Sequence, residues 1–135
     1  MLVSDFLDLL VPTLDKINRE GKITVLLGDF NNDLLKQNES NVENFIDSLS
    51  SYSLNPYITL PTRFNLTSKT LIDNIFISFN SFKSYSGNFM TGISDHLIQF
   101  TVLEAFNNNY CQISPYSIRI GKILTLIILL WNLMI

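Results

Sequence analysis

Of the two side chains that build zinc sites, the 135 residues contain one cysteine, Cys111, and one histidine, His96. A lone thiol cannot close an intrachain disulfide, so an intracellular setting, nuclear or cytoplasmic, fits best. One thiol and one imidazole cannot assemble a four-ligand zinc cluster either. Charge is scarce: 16% of residues are charged and the net charge is −3, so the chain as a whole has no electrostatic grip on a polyanion. Contact with a phosphodiester would need a local basic patch or a metal ion. No basic segment followed by an apolar core and a small-residue cleavage site opens the chain, so no signal peptide is read there. No Gly-x-Ser-x-Gly elbow is present, and Ser94 beside His96 therefore does not point to a serine hydrolase. Internal repeats and interdomain linkers are missing as well.

What is present is the composition of one small globular domain, 47% apolar and well supplied with aromatics. The stretch from Lys22 to Asn31 stands out. Ile23, Val25 and Leu27 alternate with Thr24 and Leu26, so both faces are largely apolar, as in a central strand covered on both sides. Gly28 ends the run, and Asp29 and Asn31 follow at once. In open α/β sheets chemistry collects beyond the carboxyl ends of strands, which makes this carboxylate and carboxamide a candidate site; a polar turn is the simpler alternative.

Before that strand the spacing predicts a helix capped by Ser4, with Phe6, Leu9, Leu10, Leu14 and Ile17 on one face. Pro12 should kink or split it, and Gly21 should stop it. After a polar loop, Val42, Phe45, Ile46 and Leu49 predict a short amphipathic helix capped by Asn41. Tyr57–Leu60 reads as a short strand, Thr70–Ser78 as a strong one, 80–92 as a polar connector and Leu97–Leu103 as a third strong strand. In that last strand Ile98, Phe100 and Val102 are expected to face inward, with Gln99 and Thr101 facing out. Ile123–Ile135 is nearly all apolar but shorter than the roughly 20 residues that span a bilayer as a helix. It reads as a buried strand or helix, a marginal membrane anchor, or a segment not selected to fold.

One residue breaks the pattern. By two-residue alternation Asp73 shares a face with Leu71, Ile75 and Ile77, where a carboxylate is costly unless it is paired. His96, beside Asp95 at a strand boundary, can supply the partner, and an Asp–His pair is a standard way to orient an imidazole. Oxygen-rich Asp and Asn side chains suit Mg²⁺ better than zinc.

Gly28-Asp29-Phe30-Asn31, then Pro61-Thr62-Arg63 with Leu71-Ile72-Asp73-Asn74-Ile75-Phe76, then Ser94-Asp95-His96, resembles the endonuclease/exonuclease/phosphatase superfamily. The Thr-Arg and Ile-Asp-Asn-Ile-Phe details are most similar to the endonuclease domains of non-LTR (LINE-type) retrotransposons. The resemblance runs from about Phe6 to Leu103. It implies an α/β fold, the C-terminal half of a two-sheet α/β sandwich with flanking helices over residues 1–104, followed by a non-family tail over 105–135. It also implies Mg²⁺-dependent (or Mn²⁺-dependent) hydrolysis of a phosphodiester, with DNA as partner. By position, Asp29 would orient or deprotonate the attacking water and Asn31 would hydrogen-bond the phosphate. Asp73 would orient His96, which would stabilise the phosphate's developing charge, and Asp95 would help hold the metal. Arg63 could touch a nucleic-acid backbone or be a solvated surface arginine.

The resemblance also implies what is missing. The N-terminal half of such proteins carries a metal-binding Asn and Glu, which nothing before Phe6 can supply, and Glu20 is in the wrong place. The chain then reads as a truncated copy beginning at an internal methionine, inactive alone, with one apolar strand face left open. The alternatives are a non-catalytic retroelement remnant and a small membrane-associated protein anchored by Ile123–Ile135.

Overall fold

The computed structural model describes residues 3–21, 23–78, 83–92, 94–104 and 127–131. In chain order these form α1 (Val3–Arg19), β1 (Val25–Asp29), α2 (Ser40–Ser50), β2 (Asn55–Pro56) and β3 (Arg63–Phe64). Then follow β4 (Lys69–Thr70), β5 (Asp73–Ile77), β6 (Lys83–Phe89), β7 (Ile98–Glu104) and β8 (Ile127–Trp131). Two helices and three small sheets make this a mixed α/β protein. The sheets run β1-β5-β2, β3-β4 and β6-β7-β8.

Apolar spacing builds α1. Leu10 and Leu14 are buried while Phe6 and Leu7 pack against the core. Asp5 in its first turn and Lys16 and Arg19 in its last complement the helix dipole. Leu9, expected on the inner face, is 69% exposed, and Leu7 takes the inward place. The helix is not split at Pro12, and both Pro12 and Asp8, whose carbonyl loses an amide partner, are exposed to solvent. Ser4 lies within the first turn, its Oγ 3.4 Å from Asp5 Oδ1, and is not a cap. Gly21 stops the turn at φ 62°, with its amide donating to the Asn18 carbonyl. At α2 the cap position is Glu39, which makes no side-chain cap bond. Asn41 sits inside the first turn, its Nδ2 donating to Asn32 Oδ1.

An aromatic cluster holds the helices to the sheet. Phe6, Phe30, Phe45 and Phe76, from α1, the loop just after β1, α2 and β5, have neighbouring ring centroids 5.3 to 6.2 Å apart, several edge-to-face. Val42, Leu49, Leu54, Ile75 and Ile77 complete the buried centre.

The sequence pattern made the Ile23–Leu27 stretch the central strand, but the centre is β5, all five residues of which are buried. β1 is an edge strand, antiparallel to β5, and Leu27 is 39% exposed. On the other edge β2 pairs through Asn55 and Pro56, and the predicted strand at Tyr57–Leu60 is not one. Past Tyr57 the Asn74 carboxamide takes over the backbone's role. Its Nδ2 donates to the Ile58 carbonyl at 2.8 Å, and its Oδ1 accepts from the Ile58 amide at 3.2 Å. The predicted strand Thr70–Ser78 is two strands, β4 and β5, interrupted at Leu71 and Ile72 because their amides turn to side chains of Asp33 and Thr62.

The predicted connector contains β6, which pairs with β7 antiparallel over seven positions. Its Ser and Asn content hides the strand from a hydrophobic pattern, yet Ser86 and the Asn88 amide nitrogen find partners. Ser86 Oγ is 3.0 Å from Thr101 Oγ1, and Asn88 Nδ2 donates to the Leu60 and Pro61 carbonyls. β7 is turned over relative to expectation. Gln99, Thr101 and Leu103 are the buried residues, whereas Ile98, Phe100 and Val102 are half-buried. Leu103 joins the core, and the two polar residues beside it are satisfied locally, Gln99 by the Leu97 carbonyl and Thr101 by Ser86. The outward face stays apolar, with the Phe100 ring lying against Gly87 and Phe89. The open apolar surface thus lies over Tyr85, Phe89 and Met90, 49%, 45% and 73% exposed, more than at β1.

Within the apolar tail, β8 pairs with β7 in parallel, from Phe100↔Ile127 to Glu104↔Trp131. Residues 105–126 and 132–135, including Cys111 and the rest of Ile123–Ile135, lie outside the described residues. Among the described residues no helix is long and apolar enough to cross a membrane.

Candidate metal centre

The antiparallel pairing of β1 with β5 sets the last residue of one strand against the first of the other. Asp29 therefore faces Asp73 across the ladder. The rule that chemistry gathers at strand carboxyl ends was framed for parallel sheets; here the antiparallel register brings the carboxylates together.

A third segment is folded onto this point by backbone bonds. Thr62 donates to the Thr70 carbonyl, Leu97 to the Thr62 carbonyl at 2.7 Å, and Phe64 to the Asp95 carbonyl at 3.0 Å. Arg63 and His96 form an isolated bridge between them. The His96 amide donates to Ser94 Oγ at 3.1 Å, which fixes the turn presenting the imidazole. His96 Nδ1 then lies 3.0 Å from Asp73 Oδ2 and 3.2 Å from Oδ1. Asp73 is fully buried, as the anomaly in its strand required, while His96 is 19% exposed. The other ring nitrogen, Nε2, is left for chemistry outside the pair.

Asp29, Asp73 and His96 form a group able to hold a metal ion, since each offers a ligand atom and these lie within 4.8 Å of one another. Two carboxylates and one imidazole fit a divalent cation that retains several waters. Burial raises the Asp73 carboxyl above the ordinary aspartate range and the Asp29 charge adds to this, while the Thr62 hydroxyl and His96 pull it back down.

The remaining predicted residues stand around this group. Asn31 is exposed with φ 49°, a conformation asparagine tolerates, and its amide donates to Asp29 Oδ1 at 2.9 Å. Asp95 does not join the group of three. Its Oδ2 accepts from Arg63 Nε at 2.7 Å, both side chains being nearly half exposed. Arg63 is tied back to the site on that side, and the hydrogen bond and charge of Asp95, with Asp29 and Asp73 beyond, hold its guanidinium still more firmly protonated.

The same ion pair lowers the Asp95 carboxyl, chiefly through the Arg63 hydrogen bond. A lowered folded-state value means that this contribution to stability is present above the usual aspartate pKa of about 3.9 and fades as pH falls through the folded value. Arg63→Ala should return Asp95 to the ordinary range, read by carbon-detected NMR titration of its carboxyl. An unmoved Asp95 would rule the pair out.

The sequence gives no role to two residues that build the site: Thr62, present only as part of the Pro61-Thr62-Arg63 motif, and Asp33. Thr62, completely buried, receives the amides of Ile72 and Asp73 on its Oγ1 at 3.2 and 3.1 Å. Asp33 Oδ1 accepts the Leu71 amide at 2.9 Å and so anchors the loop after β1 to the lead-in of β5. Neither residue type carries a signal by itself, because a buried threonine and a turn aspartate look alike in any loop. Compared with known proteins, the chain matches no family model, no curated protein and no solved structure.

Proposed function

We propose that this chain carries part of the active centre of a Mg²⁺-dependent phosphodiester hydrolase acting on DNA, of the retrotransposon endonuclease kind its motifs resemble. By itself it is inactive. The observation that carries the reading is the convergence of Asp29, Asp73 and His96, from three separate segments, with ligand atoms within 4.8 Å. Two-sheet sandwich architecture, of which these elements would form the C-terminal half, belongs to the same proposal.

In this reading Asp73 holds His96 by Nδ1, so that Nε2 meets a phosphate oxygen and stabilises charge as it develops. Asp29 orients the attacking water and takes its proton. Asn31 lends its carboxamide to the phosphate, and Arg63 swings from Asp95 to the backbone of the nucleic acid. A divalent ion held by the carboxylates would supply Lewis-acid polarisation of the phosphoryl oxygens. In this reading the two carboxylates leave most of an octahedral set open, and the resemblance assigns further ligands to an Asn and a Glu on a preceding half.

Supercoiled-plasmid nicking tests this. The chain alone should show no metal-dependent nicking. Mixed with a separately supplied N-terminal half of a LINE-type endonuclease domain, it should nick in Mg²⁺ and stop in EDTA. Nicking that survives EDTA refutes the assignment, and an associated but inert mixture favours the non-catalytic remnant. The membrane reading has less behind it, because the centre of the apolar tail is the strand β8 beside β7.

A further inference from the structure

We infer that Asp33 is a positioning residue of this centre: its carboxylate closes the loop after β1 onto the lead-in of β5 and so sets where Asp29 stands against Asp73. Its role rests on the reading of Asp29, Asp73 and His96 as a metal centre.

The β1–β5 ladder ends at the pair Asp29↔Asp73. The end of a ladder opens first unless the chains are tied beyond it. Here three bonds continue the contact past the last pair. The Phe30 amide donates to the Ile72 carbonyl at 2.8 Å and the Leu34 amide to the Leu71 carbonyl at 2.9 Å. The Leu71 amide donates to Asp33 Oδ1 at 2.9 Å. Both backbone groups of Leu71 are thus held by Asp33 and Leu34, with a side-chain oxygen in the place a strand carbonyl would take. The same Oδ1 accepts the Leu35 amide at 3.3 Å, a local turn bond that aims the carboxylate. Leu34 and Leu71 are both buried in the core, which fixes the fastening to the body of the protein.

Between Phe30 and Leu34 the chain must leave the strand and return to it. It does so through Asn31 at φ 49°, and the Asn31 amide donates to Asp29 Oδ1 at 2.9 Å. The Asp29 carboxylate is therefore oriented by a loop amide whose place depends on the closure at Asp33. Asp73 follows Leu71 by two residues on the other side of the same fastening. A carboxylate outside the centre thus sets the spacing of the two inside it.

Two measurements on the full chain test this. Hydrogen exchange of the Asn31 amide, taken relative to the Phe76 amide in β5, reports the bond to Asp29 without any metal. Mn²⁺ broadening of the ring signals of His96, the chain's single histidine, reports the assembled centre. Asp33→Ala should lose the protection of the Asn31 amide and raise the Mn²⁺ concentration required by at least about tenfold, the scale of outer-shell changes. Asp33→Asn keeps an acceptor oxygen in the same place, so the amide should stay protected and the Mn²⁺ requirement should rise by well under that factor. Asp33→Glu keeps the charge but carries it one methylene farther, and should behave like Asp33→Ala. The contrast of Asn with Glu separates placement from charge, and it decides alone if Asp33→Ala does not fold. A protected Asn31 amide in Asp33→Ala, or equal behaviour of the Asn and Glu variants, overturns the inference. His96 signals that Mn²⁺ leaves sharp in the parent chain refute the metal centre instead, and the exchange of Asn31 still decides whether Asp33 places Asp29.

Discussion

Phe76→Ala should lower the unfolding free energy by about 3–5 kcal/mol, as large-to-small changes in a rigid core do. Phe76 is 0% exposed on the central strand, and its ring meets Phe30 and Phe45 edge-to-face at 5.3 and 5.9 Å. Those contacts join the sheet to α2 and to the loop after β1, so the cavity could not close without moving three elements. A small domain has about 5–15 kcal/mol in all, and the loss should therefore appear as a large shift of the urea midpoint. Leu66, fully solvent-exposed, serves as the control. Leu66→Ala should stay within about 0.5 kcal/mol of the parent. Equal effects at both positions would mean that the aromatic cluster is not the core.

His96→Ala should reduce nicking by the complemented chain about 10²- to 10⁴-fold, the usual contribution of a positioned acid–base group. The imidazole is neither fully buried nor paired to a cation. It sits at a turn fixed by Ser94 and against a buried carboxylate. Asp73→Asn should cause a smaller loss of the same kind, because the amide can still touch Nδ1 but cannot favour the same tautomer. Undiminished nicking after His96→Ala would remove the histidine from the chemistry.

The Asp73–His96 pair was legible in the sequence for a physical reason. A carboxylate on an apolar strand face must have a partner, and a chain with one histidine offers few. Asp29 was legible as the polar end of an apolar run. What the pattern could not tell was direction. Treating Ile23–Leu27 as a central strand followed from its two apolar faces, but in its sheet the strand that pairs on both edges is the one bearing Asp73 and Asn74. The Asn74 carboxamide does part of that pairing, and side-chain substitutes for backbone bonds leave no periodicity to read.

β6 and β7 failed for a related reason. Alternation placed Ile98, Phe100 and Val102 inward, yet Thr101 and Gln99 are buried because each finds a nearby partner. A satisfied polar residue is as acceptable inside as an apolar one, so the period survives while its phase is lost. Asp95 was placed by resemblance as a metal ligand, and its neighbour Arg63, thirty-two positions away in sequence, takes up its carboxylate instead.

The most direct test of the metal centre is a Mn²⁺ titration of the full chain followed by the His96 ring signals in proton NMR. Paramagnetic broadening confined to His96 and its surroundings, reversed by excess Mg²⁺, is the expected result. Asp29→Asn should raise the Mn²⁺ concentration required by at least about tenfold, since even outer-shell changes cost that much. Ring signals that stay sharp, or that broaden equally with and without the Asp29 carboxylate, would contradict a centre built from Asp29, Asp73 and His96.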